Sequence, residues 1–257
     1  LAKESDMDME TTILDMARQA RQASRAMGAC PGEKKNRVLK TMAALLDHLG
    51  LDQVAVVGVS AGGGTVYETA ARHADRVAAL IPVDCVARAY QPPVTDLELK
   101  VFVSPLGLRL TALLGDYLTK SAVKGMIATE STLDKKLVAE RVKHITSDPL
   151  KLAYFKAMMH TLGDNAVMRV PGAKNDVEKL GAVTALPLAD IRCPTLVIHG
   201  DADNDVHPDH TKLAAETIPG AEMVWIEKGS HFGFWLADEA QGEEVLGRVD
   251  SLHRREQ

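Results

Sequence analysis

Residues 53–83 constrain the fold of this chain more than any other part of its sequence. The run from Gln53 to Val57 is rich in β-branched residues and lies between glycines, which predicts a strand buried on both faces. A glycine-rich turn follows, then a predicted helix at 63–73 and a second buried strand at 76–83. A strand, a tight turn, a helix and a strand in this order are typical of a parallel β-sheet.

The same alternation returns near the end of the sequence, after a long stretch without strand signals. The predicted elements there are strands at 194–199 and 222–227, a helix at 208–218 between them and a closing helix at 243–254. In the stretch from about Tyr90 to Pro187, helices are predicted at 108–117, 133–145 and 149–162. We therefore predict the α/β fold class, with a mostly parallel sheet and a helical insertion.

Two amphipathic helices are predicted ahead of the first strand. Apolar residues recur at helical spacing over 12–27 and again over 33–49, and a glycine follows each run. The predicted organisation has three parts. These are an N-terminal helical segment at 1–50, an α/β core formed by 51–89 and 188–257, and a helical insertion at 90–187.

The composition of the 257 residues is that of an ordinary globular protein, with 46% hydrophobic residues and a formal net charge of -5. Basic residues are scattered and aromatic residues make up 4%, so no nucleic-acid partner is expected. The longest apolar runs, at 54–59 and 77–83, are far shorter than the ~20 residues of a transmembrane helix. No membrane partner is therefore expected.

The cysteines indicate a reducing compartment. Cys30, Cys85 and Cys193 are far apart, without the close pairs of a metal site or the density of a disulfide scaffold. The acidic start of the chain lacks the basic and apolar regions of a signal peptide. We predict a cytoplasmic protein without a metal or an organic cofactor.

A G-x-S-x-G pentapeptide, Gly58 to Gly62, lies between the first predicted strand and the first predicted core helix. Small residues on both sides of Ser60 permit a sharp, strained turn that lifts the hydroxyl above the edge of the sheet. The start of the helix behind it favours negative charge that develops nearby. Ser60 is therefore a candidate nucleophile, although a plain glycine-rich connection between strand and helix has the same pattern.

A serine hydroxyl needs a base, and the base needs a carboxylate that orients it. Asp203 and His231 each follow a predicted strand, so they are placed at the sheet edge where parallel strands end. Asp201 and Asp205 in the same loop remain alternatives for the acid, and Asp84 after the second strand is a further one. His231 also has a structural alternative, as a histidine beside the aromatic residues that follow it.

These residues resemble the α/β-hydrolase fold family over about residues 43–257. The family pattern H-G-x-x-D-x-x-V-P is similar to the segment from His199 to His207, which puts Asp203 at the acid position and His207 in place of the proline. The base pattern G-[ST]-H matches Gly229 to His231. The helical insertion resembles the cap domain that covers the active site in this family.

The resemblance implies a serine hydrolase that acts on a small-molecule ester or a related acyl compound. Ser60 would attack the carbonyl, His231 would transfer the proton and Asp203 would hold His231. A serine nucleophile argues against the dehalogenase and epoxide-hydrolase branches, which use aspartate. Esterases, lactonases, carbon–carbon bond hydrolases and cofactor-free perhydrolases remain open, and no metal or cofactor is implied.

The sequence departs from the family pattern before the nucleophile. About 50 residues precede the first predicted strand and no H-G fingerprint is found among them, so a partial fold without the usual N-terminal strands is predicted. The backbone N–H of Ala61 is the expected oxyanion donor, and a second donor has no visible source. The alternative is therefore a non-catalytic or chimeric hydrolase-like protein.

The early helices carry a second, weaker resemblance. Residues 12–46 resemble the N-terminal helices of glutamate-5-semialdehyde dehydrogenase, also called γ-glutamyl phosphate reductase. None of the cofactor-binding or catalytic-cysteine regions of that enzyme is recognisable. The strand at 53–57 lacks its usual neighbour, and an apolar strand edge favours self-association. Either the two N-terminal helices cover this edge, or a second copy of the chain pairs with it and forms a homo-oligomer.

Overall fold

The computed structural model describes residues 44, 46–92, 104–163, 166–233 and 239–254. The chain divides after Leu51 into two units, and the second, Asp52–Gln257, carries the sheet. Residues 44 and 46–48 are helical. Residue 49 lies in a turn, and the remainder of the two helices predicted at 12–27 and 33–49 lies outside the described residues, as does nearly all of the segment 12–46.

The described strands and helices of the second unit alternate as the sequence predicts. In chain order they are β1 (Val54–Val59), α1 (Gly63–Arg72), β2 (Val77–Val83), α2 (Pro105–Tyr117), α3 (Thr119–Thr129), α4 (Lys135–Ser147), α5 (Pro149–Gly163), α6 (Ala166–Gly181), β3 (Leu196–Gly200), α7 (Asp209–Thr217), β4 (Glu222–Ile226) and α8 (Glu239–Arg254). One-turn 3₁₀ helices lie at Ser60–Gly62 and Leu188–Asp190.

The described strands form a sheet of four in the order β1-β2-β3-β4, and each neighbouring pair is parallel. The predicted α/β class with a parallel sheet is confirmed. The prediction that the first strand is buried on both faces is wrong. Val57 is 58% exposed and Val59 is 37% exposed, because β1 is an edge strand of the described sheet and pairs with β2 alone. Pairing of this edge with a second copy of the chain stays a prediction.

Apolar residues of the sheet pack in two layers. One face packs against α1 and α7 through a cluster that includes Tyr67, Leu80 and Ala214. The other face packs against α8, where Val245 and Leu252 contact Ile198 and its neighbours. Strands β2 and β3 are thus covered by helices on both sides, which is the usual solution for parallel strands, whereas one face of β1 is exposed.

The insertion between β2 and β3 has a core of its own. Its buried side chains come from α3, α4 and α5 and are Val123, Ile127, Val138, Ile145, Phe155 and Met159. Of the described helices here, α3 and α6 are not predicted by the sequence. In α3, serine, threonine, lysine and glycine weaken the apolar stripe, and α6 contains Pro171, a residue that normally ends helices. The domain boundaries themselves stay predictions.

Membrane insertion finds no support in the described part of the chain, because none of its helices combines the length and the apolarity that a bilayer crossing requires.

A close approach of two backbone segments brings the ends of β3 and β4 together. A Cβ atom on Gly200 would lie 2.5 Å from the carbonyl oxygen of Gly229, and Ala202 N donates to that same oxygen at 2.9 Å. The loop after β3 therefore lies directly against the loop after β4. These two loops carry Asp203 and His231.

We predict that Gly200→Ala lowers the free energy of unfolding by about 1–3 kcal/mol, the usual cost of overpacking, because the new methyl group meets backbone that cannot rotate away. Urea denaturation measures the effect. Gly247→Ala in α8 is the control, since a Cβ there meets nothing within 4 Å, and the exposed helix gains about 0.5–1 kcal/mol. Equal stability of Gly200→Ala and the unmodified protein would contradict the prediction.

Candidate active site

The turn after β1 puts Ser60 in a strained conformation. Its φ is 54°, in the left-handed region that residues other than glycine rarely adopt. A Cβ on Gly58 would lie 2.5 Å from the side chain of Val66, and a Cβ on Gly63 would lie 2.2 Å from the carbonyl oxygen of Val86. Gly62 has open space instead. The second small residue that the turn requires is therefore Gly63, one position beyond the pentapeptide.

Three side chains from three strand ends form one hydrogen-bonded row. The distance between His231 Nε2 and Ser60 Oγ is 2.9 Å, and His231 Nδ1 lies 2.8 Å from Asp203 Oδ2. With Nδ1–H donating to the carboxylate, a neutral imidazole has Nε2 free to accept the Ser60 hydroxyl proton. The structure thus brings together the three residues that the sequence singled out, over separations of 171 and 28 residues.

Both oxygens of the Asp203 carboxylate have hydrogen-bond partners. Its Oδ1 accepts from the N–H groups of Asp205 at 2.8 Å and Val206 at 3.0 Å. Its Oδ2 lies near Nε2 of His199, at 3.3 Å, in addition to His231. Burial raises the pKa of Asp203, but the hydrogen bonds from His199 and His231 outweigh it and leave the pKa below its ordinary value. The group is therefore a stable anion.

The other acids that the sequence left open have different places. Asp201 is exposed. Asp84 is fully buried behind the row, and its Oδ1 accepts from Gly200 N at 2.9 Å. Asp205 contacts the other nitrogen of the imidazole, with 3.5 Å between its Oδ2 and His231 Nε2. Of these candidates, Asp203 is the one bonded to Nδ1.

His199 supports the row from inside the protein, a role that sequence reasoning missed. It is fully buried, its Nε2–H donates to the carbonyl of Val206 at 2.8 Å, and its Nδ1 lies 2.5 Å from the hydroxyl of Thr211. Its position at the start of the H-G-x-x-D pattern was the available signal. Nε2 therefore holds the Asp203 loop, while Nδ1 ties β3 to α7.

Asp84 is buried with an incomplete set of partners. Its Oδ2 has no hydrogen-bond partner, and its φ of 48° is in the left-handed region. Burial raises the pKa of Asp84 to about 6, although His199 and His231 nearby favour the anion. The carboxyl group therefore changes charge close to neutral pH.

The insertion docks onto the two loops that carry the acid and the base. The carbonyl oxygen of Glu130 accepts from His231 N at 3.2 Å and from Asn204 N at 3.3 Å, and Thr132 N donates to Ala202 O at 2.9 Å. Phe232 packs against the core of the insertion and lies edge-on to the His231 ring at 5.5 Å. Phe234 and Trp235, the other aromatic residues of the structural alternative, lie outside the described residues.

Two further acidic residues and a tyrosine face the row, and sequence reasoning missed this arrangement. The Tyr90 hydroxyl donates to Asp205 Oδ1 at 2.5 Å. Burial, reinforced by the charge of Asp205, raises the pKa of Glu130 to about 7. The pKa of Tyr90 is also raised, by burial and by the same aspartate. No local sequence pattern links these three residues.

The charges around His231 decide its protonation. Burial alone lowers the pKa of His231, but the hydrogen bond to Asp203 and the negative charges of Asp203, Asp205 and Asp84 raise it to about 9. The imidazolium is therefore the favoured form in the free protein at neutral pH.

The described residues include one set that could in principle hold a metal ion. Ligand atoms of Asp84, His199 and Asp203, all buried, lie within 4.8 Å of one another. Metal binding there would break the hydrogen bond of His199 either to Thr211 or to Val206, depending on which ring nitrogen binds, and would compete with His231 for Asp203. The present hydrogen bonds already account for the set, and the absence of a metal requirement stays a prediction.

Ala61 is exposed and is the second residue of the one-turn helix at Ser60–Gly62. The first N–H groups of a helix have no acceptor within the helix, so the Ala61 N–H is available to an oxyanion beside Ser60. The sequence offers no visible source for a second donor, and the residues before 44 lie outside the described residues.

Comparisons with known proteins show which sequences and folds this chain is similar to. A family model described as the alpha/beta hydrolase fold matches residues 33–238. The uncharacterized hydrolase YcgS of Bacillus subtilis is 28% identical over 214 residues, which are 80% of this chain and 72% of that protein. A 2-hydroxymuconate semialdehyde hydrolase of Pseudomonas putida is 28% identical over 215 residues, 81% of this chain and 68% of that protein.

A solved structure is similar over much of the chain. An alpha/beta hydrolase fold protein from Nakamurella multipartita is 35% identical, with a TM-score of 0.73, and the match covers 83% of this chain and 73% of that one. These relatives do not show the resemblance of residues 12–46 to glutamate-5-semialdehyde dehydrogenase. The family match begins within that segment, at residue 33.

We predict that Asp84→Asn stabilises the protein more at pH 8 than at pH 5. The pKa of Asp84 is raised from 3.8 to about 6, so its contribution to stability is fully present below 3.8 and is lost as the pH rises through 6. Asparagine carries no charge to desolvate and tolerates the left-handed conformation, and the expected gain at pH 8 is about 2 kcal/mol. Urea unfolding at both pH values measures it, with the exposed Asp176→Asn as a control that changes little at either. The same gain at both pH values would rule out this account.

We predict a titration midpoint of about 9 for His231 in an NMR titration of its ring. In Asp203→Asn the midpoint falls toward 6.5, because the main hydrogen bond and charge that favour the imidazolium are gone. The exposed Asp201→Asn keeps the midpoint near that of the unmodified protein. Since the folded pKa is raised, the stabilisation from His231 is present below pH 6.5 and disappears as the pH rises through 9. A midpoint that Asp203→Asn leaves in place would refute the assignment.

Proposed function

The chain belongs to the α/β-hydrolase fold family, and we propose that it is a serine hydrolase acting on a small ester or a related acyl compound. The observation that carries this proposal is the row from Ser60 Oγ through the His231 ring to Asp203, with distances of 2.9 and 2.8 Å. Such a row allows a weak nucleophile to lose its proton as it attacks.

The proposed reaction has two stages. In the first, Ser60 Oγ attacks the substrate carbonyl while His231 Nε2 takes the hydroxyl proton, and the carbonyl oxygen becomes an oxyanion. The oxyanion collapses, the bond to the leaving group breaks, and Nε2–H gives the proton to that group. In the second, a water molecule attacks the acyl-serine with His231 again as base, which releases the acid and restores Ser60.

Asp203 and Ala61 support these steps without changing covalently. Asp203 keeps the Nδ1–H of His231 oriented and offsets the positive charge on the ring. The Ala61 N–H donates to the oxyanion, where a single donor is worth on the order of 10²- to 10³-fold in rate. Because the neutral imidazole is the base, we expect kcat/KM to rise as the pH approaches about 9, the raised pKa of His231.

Relatives with hydrolase names support the reaction class and leave the substrate open. The similar protein from Pseudomonas putida is named for 2-hydroxymuconate semialdehyde. At 28% identity, that name does not transfer a substrate to this chain. Esters, lactones and carbon–carbon bonds next to a carbonyl all remain candidates for cleavage. The alternative, a non-catalytic or chimeric hydrolase-like protein, is not favoured.

We predict that a fluorophosphonate probe labels the protein at Ser60. Ser60→Ala abolishes labelling and lowers hydrolysis of p-nitrophenyl acetate by about 10³-fold or more, because the activated hydroxyl is gone. Gel fluorescence and intact-protein mass measure the label. Labelling that persists in Ser60→Ala would contradict the proposal.

The matched control is Ser251→Ala. Ser251 is exposed on α8 and donates to Gly247 O within that helix, so its removal leaves labelling and hydrolysis as they are. Circular dichroism checks that both variants are folded. A folded unmodified protein that takes up no probe would favour the non-catalytic alternative.

A further inference from the structure

One carboxylate lies beside the nitrogen of His231 that, in the proposed reaction, gives its proton to the leaving group. Asp205 Oδ2 is 3.5 Å from His231 Nε2, the nitrogen that also contacts Ser60 Oγ. The Tyr90 hydroxyl fixes the other oxygen, Oδ1, at 2.5 Å. The side chain of Asp205 is 23% exposed, so a small molecule beside Ser60 can contact it.

A second carboxyl group, that of Glu130, reinforces the negative charge there above its raised pKa of about 7. Glu130 is partly buried and interacts electrostatically with Asp205, His231 and Asp203. Within the part of the chain that the structure describes, the one ion pair of Asp205 is with His231, and neither Asp205 nor Glu130 is paired with a lysine or an arginine. Among the described residues, Asp205 therefore has an opposite charge beside it only while His231 is protonated.

The proposed reaction gives this charge a consequence. When His231 Nε2 passes its proton to the leaving oxygen, the imidazole becomes neutral and the positive partner of Asp205 is lost. A cationic group on the leaving alcohol, two carbons from its oxygen, would lie near Asp205 Oδ2 and replace that partner. An anionic group in the same place would meet repulsion from Asp205 and Glu130.

We propose that Asp205, held by Tyr90 and reinforced by Glu130, is a specificity-determining residue that selects esters with a positively charged leaving alcohol, such as esters of amino alcohols. This inference rests on the proposed serine hydrolase function. Asp205 acts on the leaving group by its charge and takes no part in bond making. At the dielectric of a partly exposed site, attraction over roughly 4–6 Å supports a preference of about tenfold or more.

The test compares two isosteric acetate esters. Acetylcholine has a trimethylammonium group where 3,3-dimethylbutyl acetate has an uncharged tert-butyl group, so the pair differs in charge and scarcely in shape. We expect the unmodified full chain to show a kcat/KM about tenfold higher for the cationic ester. The ratio falls close to one in Asp205→Asn and shrinks as salt is added. A shift in the pKa of His231 affects both esters alike and cancels in the ratio.

Two variants separate charge from position. Tyr90→Phe frees the carboxylate and lowers the ratio in part, whereas the exposed Asp201→Asn, in the same loop, keeps it. The free alcohols give an independent reading that needs no turnover. Choline should protect Ser60 from the fluorophosphonate probe at lower concentration than 3,3-dimethylbutanol does, and Asp205→Asn should remove that difference.

The outcomes distinguish failure of this inference from failure of the proposed hydrolase function. Labelled Ser60 with no preference for the cationic ester and no difference in protection overturns the role of Asp205 and leaves the hydrolase. A preference that survives in Asp205→Asn overturns it as well. If the probe does not label the folded chain, the proposed function is overturned, and so is the inference that rests on it.

Discussion

The carboxylate of Asp203 is the point on which the rest of the site depends. An isolated buried anion is costly, and this one is tolerated because two backbone N–H groups and two histidines satisfy its oxygens. Those partners come from its own loop, from β3 and from the loop after β4. The buried anion therefore depends on the parallel register of β3 with β4 and on the contact of Gly200 with Gly229, because these bring its partners together.

Strain is concentrated where the strands end. The residues other than glycine with positive φ in the described chain are Ser60, Asp84 and Lys228, which follow β1, β2 and β4. Each such residue costs on the order of 1–3 kcal/mol and needs a surrounding that fixes it. Val86 N donates to Ser60 O, and Asp84 accepts from Gly200 N while its own N–H donates to Ile198 O. Ser60 is thus tied to the segment after β2 and Asp84 to β3, which keeps these two side chains at the same edge.

Sequence reasoning reached the parts of the site that local patterns encode. Ser60, Asp203 and His231 each follow a strand signal with a short motif, and parallel strands place such residues at one edge whatever else the chain does. The exposed face of β1 could not be predicted from its own residues, because a β-branched run looks the same in an edge strand and in a central one. The missing family neighbour was the signal for an edge strand. Tyr90, Glu130 and Asp205 were missed as a group because the docking of the insertion, and no sequence spacing, brings them together.

Asp203 and Asp205 are two residues apart but have different roles, because their surroundings differ. Asp203 is saturated with donors and closed to solvent, so it can only orient and balance the ring at Nδ1. Asp205 has one oxygen fixed by Tyr90, while the other faces Nε2 at a partly exposed surface. Asp203 therefore orients the base, His231, whereas Asp205 is placed to contact the group that approaches His231. Since the carbonyl of Glu130 holds both the acid loop and His231 to the insertion, a change in how the insertion docks would alter the two roles together.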